Sequence, residues 1–484
     1  MIAPELPLAQ RVLAGVRWIA VLRTAAQILS WVSTLVVVRW ISPGDYGLNA
    51  MLEAPLEMTL MLAALGVDSA LVQAPRLLPR DLQSAFGLTI VASGLLFVGW
   101  FFGGGWLAEW FAEPQLEPLC RALSGLFLLV PLRAIPNALL DRELNFRTRA
   151  KIELIAAIVA ALGTLGLAFM SFGIWALVAG IMLNRTVCTL LMMLAQPWRL
   201  WPRLGPEAWP LLAFGSVMLL SSAVTLLIGK LPALMAGPAL GAQALGLYAV
   251  ALQFAGMPIA KAMPVVNPVL FPAFARLSAQ PVEARHYFLR AVELSSLLIF
   301  PLMVGLAVVA TEFVALVLGP GWEAAALPLA LLSLAMPPKL INTLLKPVIV
   351  AMGRPQLVLI GNGLTLLLLA LVVMLATPYG VPGLAVAVGV LEPLALVVTL
   401  WLARPVLTLG VGALLRALRP ATVGVVLMAG AVWSLKDFVA PLPLVARAAL
   451  EVLWGAAVYA GAVHFFFREV SARARRLLSG AGAG

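Results

Sequence analysis

Residues 357–376 read LVLIGNGLTLLLLALVVMLA, an uncharged run of 20 residues. An α-helix rises about 1.5 Å per residue, so a run of this length crosses the roughly 30 Å hydrocarbon core of a bilayer. Nothing in a water-soluble fold calls for it, and it predicts a transmembrane helix. Similar runs extend outward from it. On the N-terminal side they fall near 326–351, 291–317, 247–275 and 211–236, and on the C-terminal side near 383–403, 420–435 and 445–467. Six more lie near 17–40, 48–73, 84–106, 118–140, 152–170 and 174–195. Together they predict an all-α polytopic membrane protein of about 14 spans, each needing about 20 apolar residues.

The bulk composition agrees. Of 484 residues 63% are hydrophobic and 11% charged, against about 45–50% and about 25% in soluble domains. The runs leave no room for a sizeable soluble domain. The net charge of +11 fits basic residues held in cytoplasmic loops, so no nucleic-acid partner is expected. With the N-terminus inside, 21 of the 32 basic residues fall in cytoplasmic segments. These include Arg76, Arg80, the cluster Arg142/Arg147/Arg149/Lys151 and the tail Arg468/Arg473/Arg475/Arg476. The loop after the third span carries Glu109, Glu113 and Glu117 instead. Both termini are therefore expected inside, in a multi-pass membrane protein. No signal-peptide cleavage pattern precedes the first run. Cys120 and Cys188 sit in apolar runs, and His286 and His464 build no metal site between them. No disulfide framework, metal or cofactor is expected.

The chain also repeats. Pro131-Leu132-Arg133 followed by Asn137-Ala138-Leu139-Leu140 parallels Pro337-Pro338-Lys339 followed by Asn342-Thr343-Leu344-Leu345. Gly47-Leu48 has a counterpart in Gly246-Leu247. Parallel repeats about an axis along the membrane normal are an architecture of alternating-access transporters. The expected organisation is an N-terminal lobe of helices 1–6 (1–203), a second lobe of helices 7–12 (204–404), and helices 13–14 with a basic tail (405–484).

A charge at the bilayer centre costs about 2.5–3.5 kcal/mol on insertion scales, so each needs a partner or a wet cavity. Within the runs lie Arg23, Arg121, Arg133, Arg185, Lys230, Lys261, Lys339 and Lys346, with the acids Glu53, Glu57, Asp68 and Glu392. Arg23, Gln27, Ser30 and Thr34 form one polar stripe at helical spacing, and Lys339, Asn342 and Lys346 another. The expected substrate cavity is drawn from Arg23, Gln27, Arg133, Lys230, Lys261, Lys339, Asn342 and Lys346, basic enough to hold a pyrophosphate through charge-assisted hydrogen bonds. Arg121 and Arg185 are read instead as snorkelling toward an interface. Glu53, Glu57 and Asp68 fall within roughly 60° of one another on the second helix, at about 100° per residue. These acids and Glu392 either pair with the basic residues, for example Glu53 or Glu57 with Arg23, or carry a coupling H⁺ or Na⁺. No catalytic residue is assigned.

Four stretches carry a family resemblance: Leu65-Gly66-Val67-Asp68-Ser69-Ala70-Leu71-Val72-Gln73, Asp141-Arg142-Glu143-Leu144-Asn145-Phe146-Arg147, Leu270-Phe271-Pro272-Ala273-Phe274-Ala275-Arg276-Leu277, and Gly319-Pro320-Gly321-Trp322 with the later Gly353-Arg354-Pro355. In this order they resemble the Wzx-like oligosaccharide flippases of the polysaccharide biosynthesis family, in the multidrug/oligosaccharidyl-lipid/polysaccharide exporter superfamily. The resemblance implies fourteen helices in two six-helix lobes plus two. It implies movement of an undecaprenyl-diphosphate-linked oligosaccharide to the periplasmic leaflet, driven by an ion gradient, with polysaccharide polymerase and export machinery as partners. Related lipid II flippases keep basic cavity residues on the first, second and eighth helices. Arg23 and Lys261 match the first and eighth, whereas the second helix here carries Glu53 and Glu57. Two other readings stand beside this one. A cation-coupled multidrug exporter of the same fold would use an acidic pocket. A membrane-embedded glycan polymerase or ligase would need a large external loop, and the longest one here, 103–118, is about 16 residues, an ordinary loop rather than a domain.

Overall fold

The computed structural model describes residues 33–468 apart from 75, 144, 199–200, 206–207, 279 and 408. All regular elements among the described residues are helical. In order they are α1 (Pro43–Ala64), α2 (Val67–Gln73), α3 (Pro79–Phe111), α4 (Leu116–Arg142), α5 (Phe146–Phe169), α6 (Ile174–Ala195) and α7 (Ala208–Arg276). Then come α8 (Pro281–Val308), α9 (Ala310–Phe313) running into a π-helical turn (Val314–Leu318), α10 (Ala326–Ala351), α11 (Pro355–Ala376), α12 (Gly380–Leu407), α13 (Val411–Val439) and α14 (Leu444–Phe466). Among the described residues ten helical stretches are long and apolar enough to cross a membrane, or eleven with α1 and α2 taken as one bent span. Large apolar side chains such as Leu95, Phe102, Leu194, Leu367 and Phe438 are each at least 70% exposed on the helix surfaces. Lipid is the solvent that such a surface fits.

The helices start and stop where local chemistry dictates. Ser42-Pro43-Gly44-Asp45, which reads as a turn, is a capping box. The Ser42 hydroxyl accepts from Asp45 N at 3.1 Å, Asp45 Oδ2 accepts from Ser42 N at 3.3 Å, and Pro43 occupies the first helical position. The other oxygen of Asp45 accepts from Ile174 N at 3.0 Å and so joins the starts of α1 and α6. Helices run through Pro55, Pro131, Pro337 and Pro393. Their breaks fall elsewhere. Leu65 and Gly66 both take left-handed backbone (φ 51° and 64°), which bends α1 from α2 by 40°. Gly241 (φ 76°) breaks α7, and Gly380 (φ 69°) separates α11 from α12. The span expected over 48–73 is therefore two helices. The common face of Glu53, Glu57 and Asp68 does not survive the bend, because two left-handed residues reset the helical phase.

The chain divides into two compact units, Met1–Gly246 and Leu247–Gly484. In the first, α3 packs on α4, α5 on α6, and α4 on α6. The first arm of α7 lies antiparallel to α1 and α2, meeting them at three levels. Gly47 abuts the Ala242 backbone, Glu53 and Glu57 reach Lys230, and Gly66 abuts Gly215. Glu113 caps the arm beyond Gly241 by accepting from Ala242 N at 3.3 Å. In the second unit α10 packs on α12, and α8 packs on α10 and α13, with α14 against α13.

Candidate functional site

Glu53 and Glu57 stand one turn apart on α1, and Lys230 of α7 reaches both, at 3.0 and 3.3 Å. The partner of these acids is thus a lysine of α7. Arg23 and Gln27, the other cavity candidates proposed near them, lie outside the described residues.

Two cavities lie among the helices of the first unit, and the larger takes in both acids. The larger, about 360 Å³, is lined by Ser33, Thr34, Glu53, Glu57, Asn184 and Arg185 among others. The smaller, about 190 Å³, is lined by Asp68, Arg133, Asn137, Arg185 and Thr189 with apolar neighbours. Leu60 and Arg185 line both. No hydrogen bond or ion pair among the described residues closes on the side chain of Arg133 or Arg185, although each lies in the electrostatic field of the other. Asn137 is buried and its Oδ1 accepts no hydrogen bond. Two arginines without an ion pair among the described residues, beside a cavity, suit an anion with several oxygens, since Arg presents a planar fork of donors.

Around this cluster the remaining charges hold helices together. Arg149 pairs with Asp141 and, at 3.1 Å, with Glu153. Arg142 donates to the carbonyls of Leu71, at 3.1 Å, and Ala74, satisfying oxygens that the end of α2 leaves free. In the second unit Lys339 of α10 pairs with Glu392 of α12 at 3.0 Å. Lys346, two turns further along α10, lies in the field of both. Asn342 is buried with an Oδ1 that accepts no hydrogen bond, as in its repeat counterpart Asn137. Lys261 is half-buried on the second arm of α7.

Arg185 and Thr189 are the cavity residues that sequence reasoning passed over. They are four residues apart on a largely apolar helix, and the Thr189 hydroxyl donates to the Arg185 carbonyl at 2.8 Å. That spacing was the available signal.

The polysaccharide biosynthesis protein family matches residues 36–327. The teichuronic acid biosynthesis protein TuaB of Bacillus subtilis is 29% identical over 65% of this chain and 66% of its own length. The lipopolysaccharide biosynthesis protein WzxC of Escherichia coli is 26% identical over 65% of each. These alignments take in just under two thirds of each relative's length. Among solved structures, the lipid II flippase MurJ in an inward closed conformation superposes with a TM-score of 0.77 at 15% identity, covering 93% of this chain and 99% of that one. An inward-facing MATE family multidrug resistance transporter of the MOP superfamily gives 0.60 at 13% identity, over 80% and 98%. The long apolar helices, the shared fold and a family match over more than half the chain make this a multi-pass protein of the bacterial inner membrane that belongs to the polysaccharide biosynthesis protein family.

Proposed function

We propose that this protein is a flippase. It moves an undecaprenyl-diphosphate-linked oligosaccharide from the cytoplasmic to the periplasmic leaflet by alternating access, driven by an H⁺ or Na⁺ gradient, for export of a surface polysaccharide. The observation that carries this reading is the pair Arg133 and Arg185, whose guanidiniums line the cavities without an ion pair among the described residues. Like charges in a poorly solvated site repel, and a bound diphosphate relieves that repulsion while filling their donors. The names of the relatives, which concern teichuronic acid and lipopolysaccharide, support a lipid-linked glycan as cargo. In the full arrangement we propose, fourteen helices form lobes over 1–203 and 204–404, with two more helices and a basic tail over 405–484, and both termini are cytoplasmic. The likeness to a drug transporter favours a cation-coupled multidrug exporter as second reading. Against it, both acids of the larger cavity, Glu53 and Glu57, are engaged by Lys230, which leaves one negative charge between them.

The test is the leaflet location of the lipid-linked glycan in cells depleted of the protein, scored by a probe that reaches only the periplasmic face. Intact precursor should accumulate on the cytoplasmic side. Normal crossing would overturn the reading and direct attention to drug export.

A further inference from the structure

The second unit holds an ionisable cluster apart from the cavities. Glu312 of α9 is 4% exposed and takes both of its charge partners from the C-terminal helices, Lys436 of α13 at 3.4 Å and Arg447 of α14 at 3.3 Å. One turn beyond Arg447 on the same face of α14 lies Glu451. It is fully buried, and among the described residues neither of its carboxyl oxygens meets a hydrogen-bond donor. The Arg447 Nε is buried and unpartnered as well.

The groups facing Glu451 are few. The charges acting on it are Glu312 from α9, Lys436 from α13 and Arg447 from its own helix. Asp437, next to Lys436, is exposed. On α8, which also packs against α14, the titratable residues Glu283, Arg285, His286, Tyr287, Arg290 and Glu293 all precede Leu297. The Leu297 carbonyl accepts from Tyr459, two turns past Glu451, and Glu312 lies at the other end of α8.

Two demands on Glu451 oppose each other. With Glu312 ionised, the two cations leave one positive charge over, which favours an ionised Glu451. Yet Lys436 directs its hydrogen bond, and Arg447 its ion pair, to Glu312, and a buried carboxylate without donors favours the neutral acid. A group held between such demands gains and loses a proton readily. A metal cation fits poorly, because it needs several oxygen ligands and would join two fixed positive charges.

We propose that Glu451 is a proton-binding site in the C-terminal helices, and that its proton is the coupling ion of the transport proposed above. The second clause rests on that reading; the first does not. On release the proton passes to water. The carboxylate left behind then accepts from the free Arg447 Nε–H, four residues away on the same helix face, and this loosens the Arg447–Glu312 pair that ties α9 to α14.

The full chain in lipid nanodiscs tests the site by infrared titration. Wild type should show the carbonyl stretch of a buried protonated carboxyl that vanishes as pH rises, E451Q should lack it, and E451D should keep it at a shifted frequency. Superimposable wild-type and E451Q spectra would overturn the proposal whether or not the protein flips a lipid. The coupling clause is tested in cells by crossing of the lipid-linked glycan. A dependence on the pH gradient present in wild type and lost in E451Q supports it, and one unchanged in E451Q overturns it. Absence of crossing dependent on the wild-type protein would defeat the flippase reading alone and leave the infrared result standing.

Discussion

Arg185 shows how far a single residue can be read. In sequence it is one charge on an apolar helix, and snorkelling toward the interface is the ordinary account of such a residue. In the fold it lines two cavities, and Arg133 of α4 lines one of them with it. Nothing in the order of residues brings positions 133 and 185 together, since only packing of α4 on α6 does so. The acids were more legible, because a carboxylate inside a span demands a partner. Glu53, Glu57 and Glu392 each have one. The identity of that partner was not legible for Glu53 and Glu57, as Lys230 lies far along the chain. If the two arginines hold the diphosphate, R133Q and R185Q should each weaken transport. A hydrogen bond to a charged group contributes about 1.5–3 kcal/mol, so each loss should be about tenfold to a hundredfold. The check is the rate of precursor crossing at matched membrane levels of protein. Wild-type rates in both variants would remove the arginines from the site.

Elements were predicted well where apolar length alone decides, and poorly where backbone conformation decides. The run 48–73 has the length and composition of one span, and only the left-handed backbone at Leu65 and Gly66 makes it two helices. Pro55, Pro131, Pro337 and Pro393 sit inside continuous helices, and the sharp breaks fall at Gly66, Gly241 and Gly380. Glycine also decides how α1 crosses α7. A Cβ at Gly47 would come within 1.7 Å of the Ala242 carbonyl oxygen, and one at Gly246 within 1.7 Å of the Pro43 carbonyl oxygen. The paired Gly-Leu motifs noticed as a repeat thus bracket one close contact between backbones, which no side chain can adjust to admit a methyl group. G47A and G246A should each force the helices apart, and overpacking of this kind costs about 1–3 kcal/mol or more. Thermal unfolding in detergent should show both melting several degrees below wild type. G94A is the control, because its added methyl group meets nothing within 4 Å. Equal melting of all three variants would mean that the crossing is looser than drawn.

At the scale of the whole molecule, the fold class was legible because composition and span length are properties of the chain as a whole. The two compact units divide at Gly246, within the long helix α7. A helix that starts in one unit and ends in the other leaves no composition shift to mark the boundary. Orientation rests on the distribution of Lys and Arg, and it can be tested directly. Cys120 and Cys188 are both buried, so a background lacking them, C120A/C188A, should fold and give a clean surface. Into it go single cysteines at two exposed turn positions, Q115C between α3 and α4 and S278C between α7 and α8. The first loop carries Glu109, Glu113 and Glu117, and the second is flanked by Arg276 and Arg285. Positive residues favour retention on the cytoplasmic side. A membrane-impermeant maleimide should therefore label Q115C in intact cells, and S278C only after the membrane is opened. The reverse pattern would invert the molecule and with it the direction of transport. Labelling of both in intact cells would place the two turns on one side, which an odd number of crossings between them would forbid.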